Sequence, residues 1–140
     1  MNYDRPMSRH LVLASVAATA FVVVAGPAGA AHADPAAPCN FRLSPPRVVQ
    51  LSGTDVVTAT VEPADCEVPA QPTLSVACLQ MQGSQAAEQC AKIDGPRTAQ
   101  IFFQPYRPGA TYVATGRGCA SVGNPPKSVC QTMGPLTATL

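Results

Sequence analysis

The stretch Pro105-Tyr106-Arg107-Pro108-Gly109-Ala110-Thr111-Tyr112-Val113-Ala114-Thr115-Gly116-Arg117-Gly118-Cys119 decides how this chain is read. Its two prolines fix their own φ angles, and Gly109 reaches backbone conformations that other residues avoid, so the stretch opens with a rigid corner. From Thr111 onward the β-branched and aromatic residues suit a strand, and that strand ends in a cysteine.

Within it, Pro108-Gly109-Ala110-Thr111-Tyr112 resembles the Pro-Gly-x-x-Tyr corner that precedes a late strand in fibronectin type III and related immunoglobulin-like sandwiches. The resemblance implies that Tyr112 is buried and that its hydroxyl bonds back to the corner's backbone, which fixes how one sheet crosses to the other. It implies an architecture and no activity.

The chain on either side fits an all-β reading. Of its 15 prolines, Pro6 and Pro27 lie near the N-terminus and the other 13 are spread over residues 34–140, which rules out long helices there. Short alternating runs lie between them. Pro46 to Leu51 reads as a first strand, and Ser52-Gly53-Thr54-Asp55 turns the chain. In Val56 to Glu62, Val57, Ala59 and Val61 share one face. Glu62 to Pro72 reads as an acidic, proline-punctuated loop. Thr73 to Gln82 is a strand whose phase slips near Cys78, as a bulge would cause. A weak segment surrounds Cys90 to Ile93, and Thr98 to Gln104 turns Ala99, Ile101 and Phe103 one way. Thr111 to Cys119 and Gln131 to Leu140 complete about seven strands. The expected sheets hold Val48, Val57 and Ile101 in one, and Val76, Ala91, Val113 and Leu136 in the other.

The first 33 residues read separately. Arg5, Arg9 and His10 precede the uncharged apolar run Leu11 to Ala25, and Ala31-His32-Ala33 precedes Asp34 as an A-x-A cleavage site. That is the layout of a secretory signal peptide. The run is shorter than the roughly 20 apolar residues that span a bilayer, so no membrane anchor is expected after cleavage. The leader's style resembles that of small secreted, disulfide-bonded actinobacterial proteins, especially mycobacterial ones. Residues 34–140 are then one exported domain, secreted or held in the cell envelope.

All six cysteines, Cys39, Cys66, Cys78, Cys90, Cys119 and Cys130, follow the leader. An even count in an exported chain of this size reads as three disulfides. A metal site is disfavoured because no C-x-x-C occurs and both histidines, His10 and His32, belong to the leader. Residues that face each other across an antiparallel hairpin share a midpoint. Cys119 and Cys130 share theirs with Asn124-Pro125, and Cys78 and Cys90 are centred on Ser84. The midpoint of Cys39 and Cys66 falls one residue before that of Gly53-Thr54. The expected pairs are therefore 39–66, 78–90 and 119–130. The rival joins Cys78 to Cys119 between sheets, as in antibody domains.

Charge is balanced overall but not along the chain. Residues 34–94 carry seven acids against Arg42, Arg47 and Lys92, whereas 95–140 carry Arg97, Arg107, Arg117 and Lys127 and no acid. In a sandwich these halves interleave, so the charges are expected to pair within the fold. No clustered basic stripe with interleaved aromatics is present, so no nucleic-acid partner is expected.

Without a histidine after residue 33, a Ser-His-Asp triad, a Cys-His pair or an imidazole metal site has no members. Asp65 and Glu67 are the nearest candidate carboxylate couple, and read as solvated loop charges. No phosphate-binding glycine loop opens a helix. Gly116 and Gly118 read as sites of close packing or a bulge. No enzyme, metal or other cofactor is expected.

The remaining feature is Cys119 to Cys130, read as a twelve-residue loop closed by a disulfide. Asn124, Pro125, Pro126 and Lys127 at its tip are the candidate binding residues, since a closed neck and two prolines lower the ordering cost of binding. The loop resembles the Lys-Ser and Pro-Pro loop of Bowman–Birk protease inhibitors in content, with the order of the two dipeptides reversed. The reading is a secreted, non-catalytic immunoglobulin-like β-sandwich that binds an extracellular protein or ligand. Two rivals stand beside it: a protease inhibitor acting through the 119–130 loop, and a carrier of an apolar small molecule or lipid between the sheets.

Overall fold

Alternating apolar residues, interrupted by proline and glycine, form eight strands in the computed structural model, which describes residues 37–67 and 69–140. The expected signal peptide and its cleavage before Asp34 lie outside the described residues. The strands are β1 (Cys39–Leu43), β2 (Arg47–Leu51), β3 (Thr54–Cys66), β4 (Gln71–Met81), β5 (Gln89–Asp94), β6 (Ala99–Phe103), β7 (Thr111–Val122) and β8 (Lys127–Thr139). They make two antiparallel sheets, one of β1, β2, β3 and β6 and one in the order β5-β4-β7-β8. The fold is an all-β, immunoglobulin-like sandwich, and every strand expected for each sheet is in that sheet.

The extra strand is a broken one. β3 uses Val57 to Val61 to pair with β6, and uses its other edge for β2 and then β1. β1 and β2 are thus one edge strand interrupted at Ser44-Pro45-Pro46. Proline lacks the donor that a ladder needs, and the gap is bridged by Ser44, whose N–H reaches Thr60 O and whose Oγ accepts the Thr60 N–H, both at 2.9 Å.

The core is built from the two inner faces. Val57, Ala59 and Val61 meet Ala99, Ile101 and Phe103 on one sheet, and Ala77, Leu79, Tyr112 and Ala114 on the other. Burying each large apolar side chain here is worth about 1.5–3 kcal/mol. Gly116 and Gly118 lie on the inner face of β7, where there is no room for a side chain. A Cβ on Gly116 would lie 2.6 Å from Val61 Cγ2, and one on Gly118 would clash with Phe41 Cγ. These glycines permit close packing, as their spacing suggested.

Tyr112 is fully buried, its ring set edge-on to Phe103 at 5.7 Å. Its hydroxyl accepts the Arg107 N–H at 2.8 Å, which closes the corner onto the start of β7.

The three disulfides join Cys39 to Cys66, Cys78 to Cys90 and Cys119 to Cys130. Each joins residues directly opposite in a ladder, so the rival pairing of Cys78 with Cys119 is not adopted. Ser52-Gly53, not Gly53-Thr54, is the centre of the β2–β3 hairpin, which removes the one-residue mismatch.

Four expectations are corrected. There is no slip near Cys78: β4 pairs regularly with β7 from Leu74 to Met81, and the irregularity lies between Pro72 and Leu74. The alternation looked slipped because the outward face carries Leu74, Val76 and the Cys78 half of a cystine. Residues 62–66 belong to β3 and not to a loop. Phe41 turns its N–H away from β3, so the facing Pro63 points its nitrogen to the side where β6 has already ended at Val61. Proline is tolerated there because no donor is required. The segment from Cys119 to Cys130 is a ladder with a four-residue turn and not a twelve-residue loop. Nor do the two charge-biased halves pair: among the described residues the one ion pair is Lys92 with Asp94, both on β5. Long side chains gain little from surface pairing against the entropy of holding them.

Candidate binding end of the sandwich

The β7–β8 ladder runs past its disulfide through Ala120–Val129 and Ser121–Ser128 to Val122–Lys127. Gly123 to Pro126 make the turn, with Asn124 and Pro125 at its centre as the cysteine midpoint required. Of the candidate binding residues, Asn124, Pro125 and Pro126 occupy this turn and Lys127 is the first residue of β8. All four are exposed. Lys127 therefore has its backbone committed to the ladder.

The base of this hairpin is rigid for identifiable reasons. Cys119 and Ala120 are buried to within a few per cent. The Thr73 hydroxyl donates to Cys119 O at 3.2 Å and ties β7 to β4. On the outer face the Arg117 guanidinium lies 3.3 Å from Cys130 Sγ. An exposed tip thus stands on a covalently closed base that is buried on its β7 side and exposed at Cys130.

The acidic segment comes to the same end. Gln71 and Pro72 lie opposite Ser121 and Ala120, directly after the turn that contains Glu67. Glu67 is held by its N–H to Pro38 O at 2.8 Å, and Ala70 N–H closes the turn on Glu67 O at 2.7 Å. Beside the hairpin a groove of about 900 Å³ opens between the two sheets' edges. Ala37, Pro38 and Asn40 wall one side, Val129 to Thr132 the other, and Asp65, Cys66 and Glu67 complete it. Gln131 crosses the seam, its Oε1 accepting the Phe41 N–H at 3.1 Å. This end carries acidic carboxylates in a groove and a lysine on the neighbouring hairpin.

Asn40 and Gln131 were not legible as site residues. Gln131 and Phe41 are 90 positions apart, and a glutamine after a cysteine carries no signal of its own. Asp65 and Glu67 were legible as acids but not as neighbours of β8. Elsewhere, Cys78, Glu88 and Cys90 bring three potential metal-ligand atoms within 4.8 Å. The two sulfurs are bonded to each other, so the cluster offers one carboxylate and no thiolate.

Comparison with known proteins adds no relative: no family model, no curated protein and no solved structure matches the chain.

Proposed function

We propose that the protein is an exported, non-catalytic binding module that meets a macromolecular partner with the hairpin end of its sandwich. The single observation that carries this reading is the contrast along β7–β8, where a disulfide-closed base, buried on its β7 side at Cys119 and Ala120, supports a turn exposed from Gly123 to Ser128. A turn held this way loses little conformational entropy on binding, and loops on a rigid β-scaffold are where binding residues concentrate. Three disulfides suit an oxidising, extracellular setting, and the leader-like residues 1–33 give the route there.

The two rival readings find less support. A carrier needs space between the sheets, and at Gly116 and Gly118 the opposing side chains already touch the backbone. An inhibitor that offers Lys127 to a protease needs that backbone free and extended, and here it is paired with Val122.

The test is a pull-down of the oxidised protein against culture and host extracts, repeated with Lys127→Glu combined with Asn124→Ala. A partner captured by the wild type and lost by the variant, at unchanged melting temperature, supports the reading. Equal capture by both moves the contact away from the tip.

A further inference from the structure

The groove beside the hairpin has a shape and a chemistry that the tip residues do not explain. Among the described residues β8 is an edge strand that pairs with β7 alone, so every second pair of its backbone N–H and C=O groups points outward. Part of that edge is already blocked. Gly134 and Pro135 together face the single residue Thr115, with Gly134 at φ 90°. That is a β-bulge, and its proline removes a donor. A side chain at Gly134 would also press on Ala114 O, at 2.7 Å from the added Cβ. The longest uninterrupted stretch of open edge is therefore Lys127 to Met133, with Leu136 to Thr139 beyond the bulge.

The groove runs along the middle of that stretch, Val129 to Thr132. Gln131 lines it and takes the Phe41 N–H across the seam. Among the described residues no lysine or arginine lines it, while Asp65 and Glu67 do, and neither of these has an ion-pair partner there. Free strand edge, trough and unpaired carboxylates meet in one place.

We propose that this groove takes an extended, basic segment of a partner protein, which adds as a strand to the Lys127–Met133 edge and sets its lysines or arginines against Asp65 and Glu67. Main-chain hydrogen bonds to an edge strand give such a complex its affinity, and side chains at alternate positions give it selectivity. The inference rests on reading the protein as a binding module, and it names the chemistry of the partner.

The probe is a capped hexapeptide of alternating lysine and valine, with the alternating glutamate–valine peptide as control. Each is titrated into the full oxidised chain and followed by amide chemical shifts and hydrogen exchange. The lysine peptide is expected to shift Asn40, Asp65, Glu67 and Val129 to Thr132 and to slow exchange within Val129 to Thr132. The glutamate peptide is expected to do neither. Asp65→Asn with Glu67→Gln should weaken the lysine peptide about fivefold, as two modest surface ion pairs would, and added salt should do the same. Absence of shifts in this set overturns the proposal, as does equal binding of both peptides. So does a dimer, seen by light scattering, that protects the same edge without peptide. Asn124→Ala, at the tip and outside the Lys127–Met133 edge, separates the two readings. A natural partner lost with the tip variant but kept by the groove variant sinks this inference and leaves the binding module standing.

Discussion

At the end of the sandwich where β7 begins, Tyr112 is fully buried against Phe103, and its hydroxyl holds the Arg107 backbone. At the end where β7 turns into β8, the inner face of β7 is Gly116 and Gly118, and the side-chain volume comes from Phe41 and Val61 across the interior. The first end holds itself by packing. The second is closed by covalent links, with Cys39–Cys66 and Cys119–Cys130 both contributing a cysteine to the groove there. Where β7 contributes only glycine, the packing comes from the opposite sheet alone, and the cross-links add to it by restricting the unfolded chain. The same division leaves the covalently closed end free to display polar residues, since its stability does not depend on burying them.

If the packed end is held by volume, Tyr112→Ala is the largest single effect, about 3–5 kcal/mol of lost stability. Urea denaturation checks it, and a wild-type midpoint would mean that the corner does not organise the fold. If the other end depends on its cross-links, replacing both Cys39 and Cys66 by serine should cost about 3–4 kcal/mol, and the same change at Cys119 and Cys130 about 3 kcal/mol. A loss below about 1 kcal/mol in either pair would dissolve the contrast between the ends. Tyr112→Phe isolates the hydroxyl and should cost about 1–3 kcal/mol, because the Arg107 N–H is left without its partner. Hydrogen exchange at Arg107 should accelerate in that variant. Smallest of all, Lys127→Glu with Asn124→Ala should change stability by no more than about 0.5 kcal/mol, as exposed positions do. A larger loss would make the tip a structural part of the covalent end and not a display surface.

Legibility followed the same division. The corner was readable because Pro108, Gly109 and Tyr112 act on one another within a few residues, and the bond from Arg107 to Tyr112 spans only five. The disulfides were readable because facing cysteines share a hairpin's midpoint. β1 was missed although Cys39, Phe41 and Leu43 alternate with exposed Asn40 and Arg42. The prolines that follow hid the fact that β3 continues far enough to pair with it. The length of the 119–130 hairpin was misjudged for a related reason, since Ser121, Ser128 and Lys127 carry no strand preference strong enough to mark the ladder. The groove was not legible at all. Its walls come from β1, the end of β3 and β8, and nothing local to any of them announces the other two.

Local chemistry in the sequence determined the all-β class, the tyrosine corner and the three covalent pairs. Each of these depends on residues a turn apart or on a simple alternation of faces. Tertiary structure alone decided that β1 and β2 are one interrupted edge, that the charged halves do not neutralise each other, and that Asp65 and Glu67 share a groove with Gln131. Those outcomes depend on which free edge of one sheet faces which free edge of the other. That placement is set by packing across the interior, where Phe41 lies on Gly118 and Val61 on Gly116, and no run of consecutive residues encodes it.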